Sequence, residues 1–395
     1  MSNQKRVRMN EAGYKYRVLY ICIDPALGGS TSSLYNLIDS LRGIVEPIVL
    51  FPEKGVGYDY FVKNHIESYV YPFIQLTSFR SNRLRDVWKQ PWMWHYIYKR
   101  RKDIKCYKYV KTILAGRKVD IVHSNTSPND IGVYLSRKFG AKHIWHVREF
   151  LDLDFHADVY RGIPRLRKLV NKADARIAIS TAIKNHWQMP ERNTWVINNA
   201  VRKRNESCYF PKKEKSFLFC SYYLTERKGA RYAIEAFAKS GMASKGYTLE
   251  LIGNCEEKYK ESLNETARKY GVLNSIAFIP CQADVKPYFS KATAFIMASE
   301  YEAFGRVTAE AMFFGCPIIA RATGGSLDII KNGETGYLFT TMDECAELIR
   351  KVCKEEQSAI IRNAQRFAIE NLTQEAYPIK IQEVYDTVTR GKENF

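Results

Sequence analysis

Short apolar runs recur along the whole chain, separated by longer amphipathic stretches. In the first half, runs at residues 17–23, 47–51, 120–123, 142–146, 175–179 and 195–197 lack the strict apolar–polar alternation of a half-exposed strand, and a helix is expected through 110–114. Continuous apolar strands separated by helices predict a parallel sheet covered on both faces. The pattern then restarts: runs at 216–223, 248–252, 275–279, 294–298 and 317–320 alternate with helical stretches at 230–239, 257–270, 305–314 and 343–351. The chain therefore reads as α/β, with two parallel-sheet domains of similar size facing each other across a cleft. Polar runs RKRNES and PKKEK interrupt the apolar pattern at 198–215 and place the seam there. The expected domains are 1–200 and 201–373, followed by a helix at about 374–395 whose docking the sequence leaves open, with the first domain one candidate surface.

Composition narrows the class. Of 395 residues, 46% are hydrophobic and 26% charged, with only 13 prolines, which excludes a disordered or collagen-like chain. Basic residues precede the apolar run at 18–23, but that run ends at Asp24-Pro25 without a small-residue cleavage site, so it is a first strand rather than a secretory signal. No window approaches the ~18 apolar residues of a membrane-spanning helix, and a soluble or peripheral protein is expected. Nine cysteines, scattered and without C-x-x-C or Cys/His ligand spacing, point to a reducing cytoplasm and no structural zinc.

Charge is lopsided. Residues 1–200 hold 33 Lys plus Arg against 17 Asp plus Glu, which is +16 of the chain's total of +19. From Arg80 to Lys118 there are thirteen basic and two acidic residues, interleaved with Trp88, Trp92, Trp94, Tyr96, Tyr98, Tyr107 and Tyr109. Such a segment suits an anionic membrane surface or acceptor. A solvated helical face with its aromatics packed inward accounts for it nearly as well, and nucleic acid is the weaker rival.

The segment from Ser299 to Phe339 concentrates chemistry. Glu302 and Glu310 flank Phe304, Gly305 and Arg306 at the expected start of a helix, just after the run at 294–298. Amides at a helix start, opening at the carboxyl end of a strand, can seat a diphosphate or sugar oxygens. A pair of carboxylates can accept from a vicinal diol. On spacing alone, a helix-dipole partner and a solvated surface acid explain the two glutamates equally well. A second element, Thr225-Glu226-Arg227-Lys228-Gly229, follows the strand that opens the second half; Lys228 could place a point charge on a diphosphate and Arg227 grip it bidentately. In the first half, Gly28 and Gly29 sit at a strand-to-helix turn where a ligand can approach the backbone, although a plain tight turn is as good a reading. His146, in WHVREF, ends a strand and could donate to a sugar hydroxyl, with Arg148 and Glu149 nearby to hold an acceptor; His123 competes from the preceding strand. The Asp152-Leu153-Asp154 triplet is a chance D-x-D, and no metal is assigned.

The run E-x-F-G-x-x-x-x-E-A-M-x-x-G-x-P-I-I-A, then T-G-G and N-G-x-T-G-Y-L, resembles the donor site of retaining glycosyltransferases of the GT-B superfamily, family four. The match is dense over about forty residues, with weaker echoes through most of the chain. The resemblance implies two Rossmann-like domains, a nucleoside diphosphate sugar (UDP- or GDP-linked) as donor substrate, and no other cofactor. It implies that Glu302 contacts the transferred sugar, Glu310 the ribose, Lys228 the diphosphate, and the Gly28-Gly29 loop the diphosphate and acceptor. It also places a histidine at the position of His146, close to the donor sugar. Two departures stand out: Asp328 replaces the family's usual Glu after the G-G turn, and Tyr222 stands where the family has an Arg, so that Arg227 is the available substitute. Base selectivity is expected around residues 279–283, through backbone contacts. The expected partners are a nucleotide sugar and a glycan or lipid-linked acceptor, without nucleic acid. The expected place is the cytoplasm, at the inner face of the cell membrane if the basic segment binds it. The rivals are a sugar-nucleotide epimerase or hydrolase of the same fold, and a non-catalytic basic binding protein.

Overall fold

A computed structural model of the chain describes residues 9–79, 92–159 and 162–390. It divides into two compact units, Met1–Ile197 with Tyr377–Phe395, and Asn198–Ala376.

The first unit is built on β1 (Tyr16–Ile21), β2 (Val45–Phe51), β3 (Glu67–Val70), β4 (Thr77–Phe79), β5 (Ile121–Ser124), β6 (Lys142–Val147), β7 (Ala157–Val159), β8 (Ala175–Ala178) and β9 (Thr194–Val196). Seven of these form one sheet in the order β3-β2-β1-β5-β6-β8-β9, and every pairing is parallel. All six residues of β1 are buried, as a central strand covered on both faces requires. On one face Leu19, Ile21, Ile48, Leu50 and Val122 pack against Cys106, Val110, Leu114 and Leu135 from two helices. Strand order reverses between β1 and β5, which leaves the loops after those two strands side by side at their carboxyl ends. β4 and β7 pair antiparallel in a separate ribbon.

The helix expected at 110–114 is the last turn of a far longer one, Trp92–Leu114. Its buried Cys106, Val110 and Leu114 recur every four residues, a stripe that the dense Lys and Arg of the same segment conceal. The C-terminal helix, Tyr377–Arg390, buries Tyr377, Ile381, Val384, Tyr385 and Val388 and belongs to the first unit. Its Asp386 pairs with Lys15 at 2.7 Å and accepts from the Tyr16 hydroxyl.

The second unit carries β10 (Ser216–Tyr223), β11 (Thr248–Asn254), β12 (Ile276–Ile279), β13 (Ala294–Met297), β14 (Ile318–Arg321) and β15 (Tyr337–Phe339). They form a parallel sheet in the order β12-β11-β10-β13-β14-β15. The reversal lies between β10 and β13, so the loops that follow them are neighbours, and these loops carry Lys228 and Glu302.

Candidate active site

In the second unit three backbone turns are stitched together. The Glu300 amide donates to the Arg227 carbonyl at 3.0 Å, joining the turn after β10 to the turn after β13. Gly229 has φ +84°, and a methyl group there would overlap the Ala298 carbonyl, so this approach requires glycine. The turn after β14 closes on the other side: the Gly325 amide donates to the Glu302 carbonyl at 2.7 Å. Gly324, at φ +53°, lies so close that a Cβ would run into that same carbonyl. The T-G-G signal is thus the imprint of backbone packed on backbone beneath Glu302.

Glu302 is held from two sides. Its Oε1 accepts from the Gly305 amide at 3.1 Å, and its Oε2 lies 3.3 Å from the Lys228 ammonium. The carboxylate is largely buried, with 17% side-chain exposure, whereas Lys228 keeps 41%. An ammonium has three donors and Glu302 takes one, so Lys228 retains capacity for an anion. Gly305 begins the helix Arg306–Phe313 from a left-handed conformation, and the first amides of that helix lie outside its own ladder. Phe304 is buried, and its backbone, rather than its ring, forms this turn. Arg306 and Arg227 are half-buried beside it.

Glu310 is buried too, and its Oε1 accepts from Arg202 Nη2 at 2.9 Å. The Arg202 guanidinium also reaches Glu206 at 3.4 Å and lies 5.3 Å from the centre of the Phe314 ring. Sequence reasoning missed Arg202, which hides inside a basic linker run.

In the first unit, Gly28 caps the helix Gly29–Ser40, and a Cβ on it would meet the Asp24 carboxylate at 2.7 Å; Gly29 faces open space. His146 lies at the carboxyl end of β6 but is wholly buried. Its Nδ1 is 3.3 Å from His123 Nε2 and 3.3 Å from Arg148 Nη2, so the two competing histidines are partners. His123 Nδ1 in turn is 2.9 Å from the Tyr385 hydroxyl, and that hydroxyl is 3.1 Å from Tyr20's. Burial, with the Arg148 charge beside them, holds both imidazoles well below the usual histidine range, hence neutral.

Arg148 and Glu149 are buried rather than displayed. Arg148 Nε donates to Asn125 Oδ1 at 2.8 Å. The Glu149 carboxylate accepts from the Ser127 amide at 2.6 Å and from its hydroxyl, while its carbonyl accepts from Trp187 Nε1 at 2.9 Å. Burial pushes the Glu149 carboxyl up to about 7, against the pull of the Ser127 bonds. Glu149 therefore ties two loops together, a task the sequence does not disclose. The D-x-D triplet also has a structural role: Asp154 accepts from the Phe150 and Leu151 amides at 3.0 and 2.7 Å, and Asp152 holds His186 at 2.9 Å.

The first part of the basic aromatic segment, Arg80 to Pro91, lies outside the described residues, as do the side chains of 92–97. Beyond them, Tyr107 and Tyr109 pack against the core, while Tyr98, Arg100, Arg101, Lys105, Lys108 and Lys111 are exposed on the helix. A cavity of about 230 Å³ beside it is lined by Lys99, Arg100, Arg137 and Arg165 among others. Lys99 is spent on Asp103 and Asp130, at 2.8 and 2.7 Å, and the lining, with four basic and two acidic residues, is basic on balance. No described helix is long and apolar enough to cross a membrane.

Residues 202–367 match the family model described as Glycosyl transferases group 1. That stretch contains Lys228, Glu302 and Glu310, and none of the first-unit residues discussed above. A protein of Haemophilus influenzae, "Uncharacterized glycosyltransferase", is 26% identical over 175 residues, 43% of this chain and 48% of that one. The chain thus aligns with only about half of that relative's length. The "N-acetyl-alpha-D-glucosaminyl L-malate synthase" of Bacillus anthracis is 24% identical over 293 residues, 68% of this chain and 74% of that one. The solved structure of HepE from Anabaena in complex with UDP superposes with a TM-score of 0.77 at 20% identity, covering 94% of this chain and all of that one. The fold is accordingly GT-B, with two Rossmann-like parallel-sheet domains.

Proposed function

We propose that the chain is a retaining glycosyltransferase of the family-four kind. In this reading it moves a sugar from a nucleoside diphosphate donor to a glycan or lipid-linked acceptor in the making of a cell-surface polysaccharide. The observation that carries the reading is the Lys228–Glu302 pair, 3.3 Å apart on adjacent strand-end turns. It is supported by the family match over the same residues and by relatives whose names include polysaccharide biosynthesis glycosyltransferases. HepE, solved with UDP and with UDP-glucose, favours uridine as the base to try first.

Each group then has a task. The Lys228 ammonium, with Arg227, balances charge that develops on the departing diphosphate, aided by the first amides of the helix Arg306–Phe313. Glu302 accepts from sugar hydroxyls and fixes the anomeric carbon relative to the acceptor. Glu310, with one oxygen pinned by Arg202, offers the other to the ribose diol. His146, Gly28 and Gly29 serve the sugar and acceptor side, and Arg148 shapes it through His146. The leaving phosphate takes the acceptor proton, so no protein nucleophile is needed. The exposed basic face of the helix Trp92–Leu114 brings the enzyme to an anionic inner membrane surface, where lipid-linked acceptors reside.

The test is a thermal-shift and turnover panel with UDP, GDP, UDP-glucose and related nucleotide sugars. A specific nucleotide should raise the melting temperature. Lys228→Ala and Glu302→Ala should each lose at least ~100-fold in turnover, the effect of removing a charge-stabilising group. Unchanged turnover in both would end the assignment.

A further inference from the structure

We propose that Tyr385 and His123 position His146, holding it in the tautomer that carries its proton on Nε2. The inference builds on the reading of His146 as a sugar-side residue, but its first test does not depend on that reading.

The polarity of the chain of bonds follows from one fixed member. Arg148 can only donate, so its Nη2, 3.3 Å from His146 Nδ1, requires a lone pair there. His146 is neutral, so its single proton lies on Nε2. His123 Nε2 is also 3.3 Å from His146 Nδ1 and must donate to the same lone pair. Two equal, long contacts suit one acceptor shared by two donors. His123 is therefore itself the Nε2–H tautomer, and its Nδ1 is an acceptor. The Tyr385 hydroxyl, at 2.9 Å, supplies the proton to that acceptor and takes one in turn from Tyr20, at 3.1 Å. Reversing any bond would set two donors or two lone pairs against each other.

The chain ends on one unsatisfied atom. His146 Nε2 is buried and has no protein partner, and a buried N–H without an acceptor is a standing cost. A ligand oxygen, such as a sugar hydroxyl, completes it. Tyr385 sits on the helix Tyr377–Arg390, 262 residues from His123, so this helix does more than cover the sheet: it supplies the hydroxyl that holds His123 in the sense Arg148 sets.

The experiment labels the full-length protein with ¹⁵N-histidine and reads proton and nitrogen correlations at neutral pH, which separate N–H from bare ring nitrogens. His123 and His146 should both carry the proton on Nε2; a proton on Nδ1 of His146 overturns the proposal. Tyr385→Phe should convert His123 to a mixture of tautomers and lower kcat for UDP-glucose, read as UDP release, roughly 10-fold with KM changed less than about twofold, the pattern of a lost orienting bond to a working histidine. Asp386→Asn, which loosens the same helix through Lys15 and Tyr16, should lower Tm but leave tautomers and kcat alone. If Asp386→Asn depresses kcat as much as Tyr385→Phe does, helix docking explains the effect and the positioning role is refuted. If no version turns over UDP-glucose, the donor assignment falls, and the tautomers alone decide this proposal.

Discussion

Gly324→Ala is the most informative single perturbation of the second unit, because the structure separates its costs. Gly324 has φ +53°, so any side chain pays the left-handed penalty of about 1–2 kcal/mol. The added methyl would also run into the Glu302 carbonyl, backbone that cannot swing aside, for a further ~1–3 kcal/mol of overpacking. Relief of that clash stretches the 2.7 Å bond from the Gly325 amide to the same carbonyl, a loss of about 1 kcal/mol. Together these predict about 3–6 kcal/mol of destabilisation, or roughly 6–24 °C in the melting temperature for a unit of this size. Two control substitutions isolate the parts. Gly333→Ala, at φ +77° with nothing within 4 Å, should show the conformational penalty alone. Gly325→Ala, at φ −66° but with its Cβ 2.5 Å from Phe304 Cα, should show the clash alone. Thermal and urea unfolding of the three variants supplies the comparison. If Gly324→Ala costs no more than Gly333→Ala, the turn after β14 does not press on Glu302 and the account of the T-G-G signal is wrong.

Three further outcomes follow from buried charge and packing. Arg202→Met strands the Glu310 carboxylate, whose side chain is 11% exposed, and should cost about 3 kcal/mol in urea unfolding; pairing it with Glu310→Gln should recover most of that loss. Glu149, with its carboxyl raised from 4.5 to about 7, binds its proton more tightly folded than unfolded, so stability falls as pH rises between those values and is flat above them. Glu149→Gln should therefore gain on the wild type by up to about 3 kcal/mol between pH 5 and pH 8, and parallel stability curves would contradict the burial argument. Truncation after Ala376 uncovers the apolar surface under Ile381, Val384 and Val388 and should give a first unit that binds a hydrophobic dye, whereas a monodisperse, dye-silent product would show that the helix is dispensable.

The architecture was legible because its determinants are local. A strand buried on both faces needs a largely apolar run, and β1, β10 and β13 show one, whereas β5 and β6 carry His123, His143 and His146 within short apolar stretches. What escaped includes β3, the ordinary 14-residue helix Ser358–Asn371, and several elements that are short or disguised. β15 is three residues inside a turn-rich stretch, and β4 and β7 are three residues each, too brief for any period to register. The helix Trp92–Leu114 was hidden by composition: its stripe of Cys106, Val110 and Leu114 is one apolar position per turn amid Lys and Arg, so only its last turn was anticipated.

The site divides along the same line. Glycines that let backbone meet backbone leave a visible mark, because no other residue tolerates the contact; hence G-G after β14 and K-G after β10 pointed to the loops that bring Lys228 to Glu302. Side-chain partners leave no such mark. Arg202 reaches Glu310 across 108 residues, and Tyr385 reaches His123 across 262. An arginine in a basic linker, or a tyrosine on a helix, looks ordinary until the fold supplies its neighbour. The glutamates and histidines could be nominated from sequence, as could Lys228 and Arg148, but that Arg148 contacts His146, or that Arg202 and Tyr385 take part at all, could not, because orientation is a property of the tertiary contact. Arg202, Arg148 and Tyr385 therefore form the layer through which a substitution would re-aim Glu310 and His146. That layer can be probed without touching Lys228 or Glu302 at all.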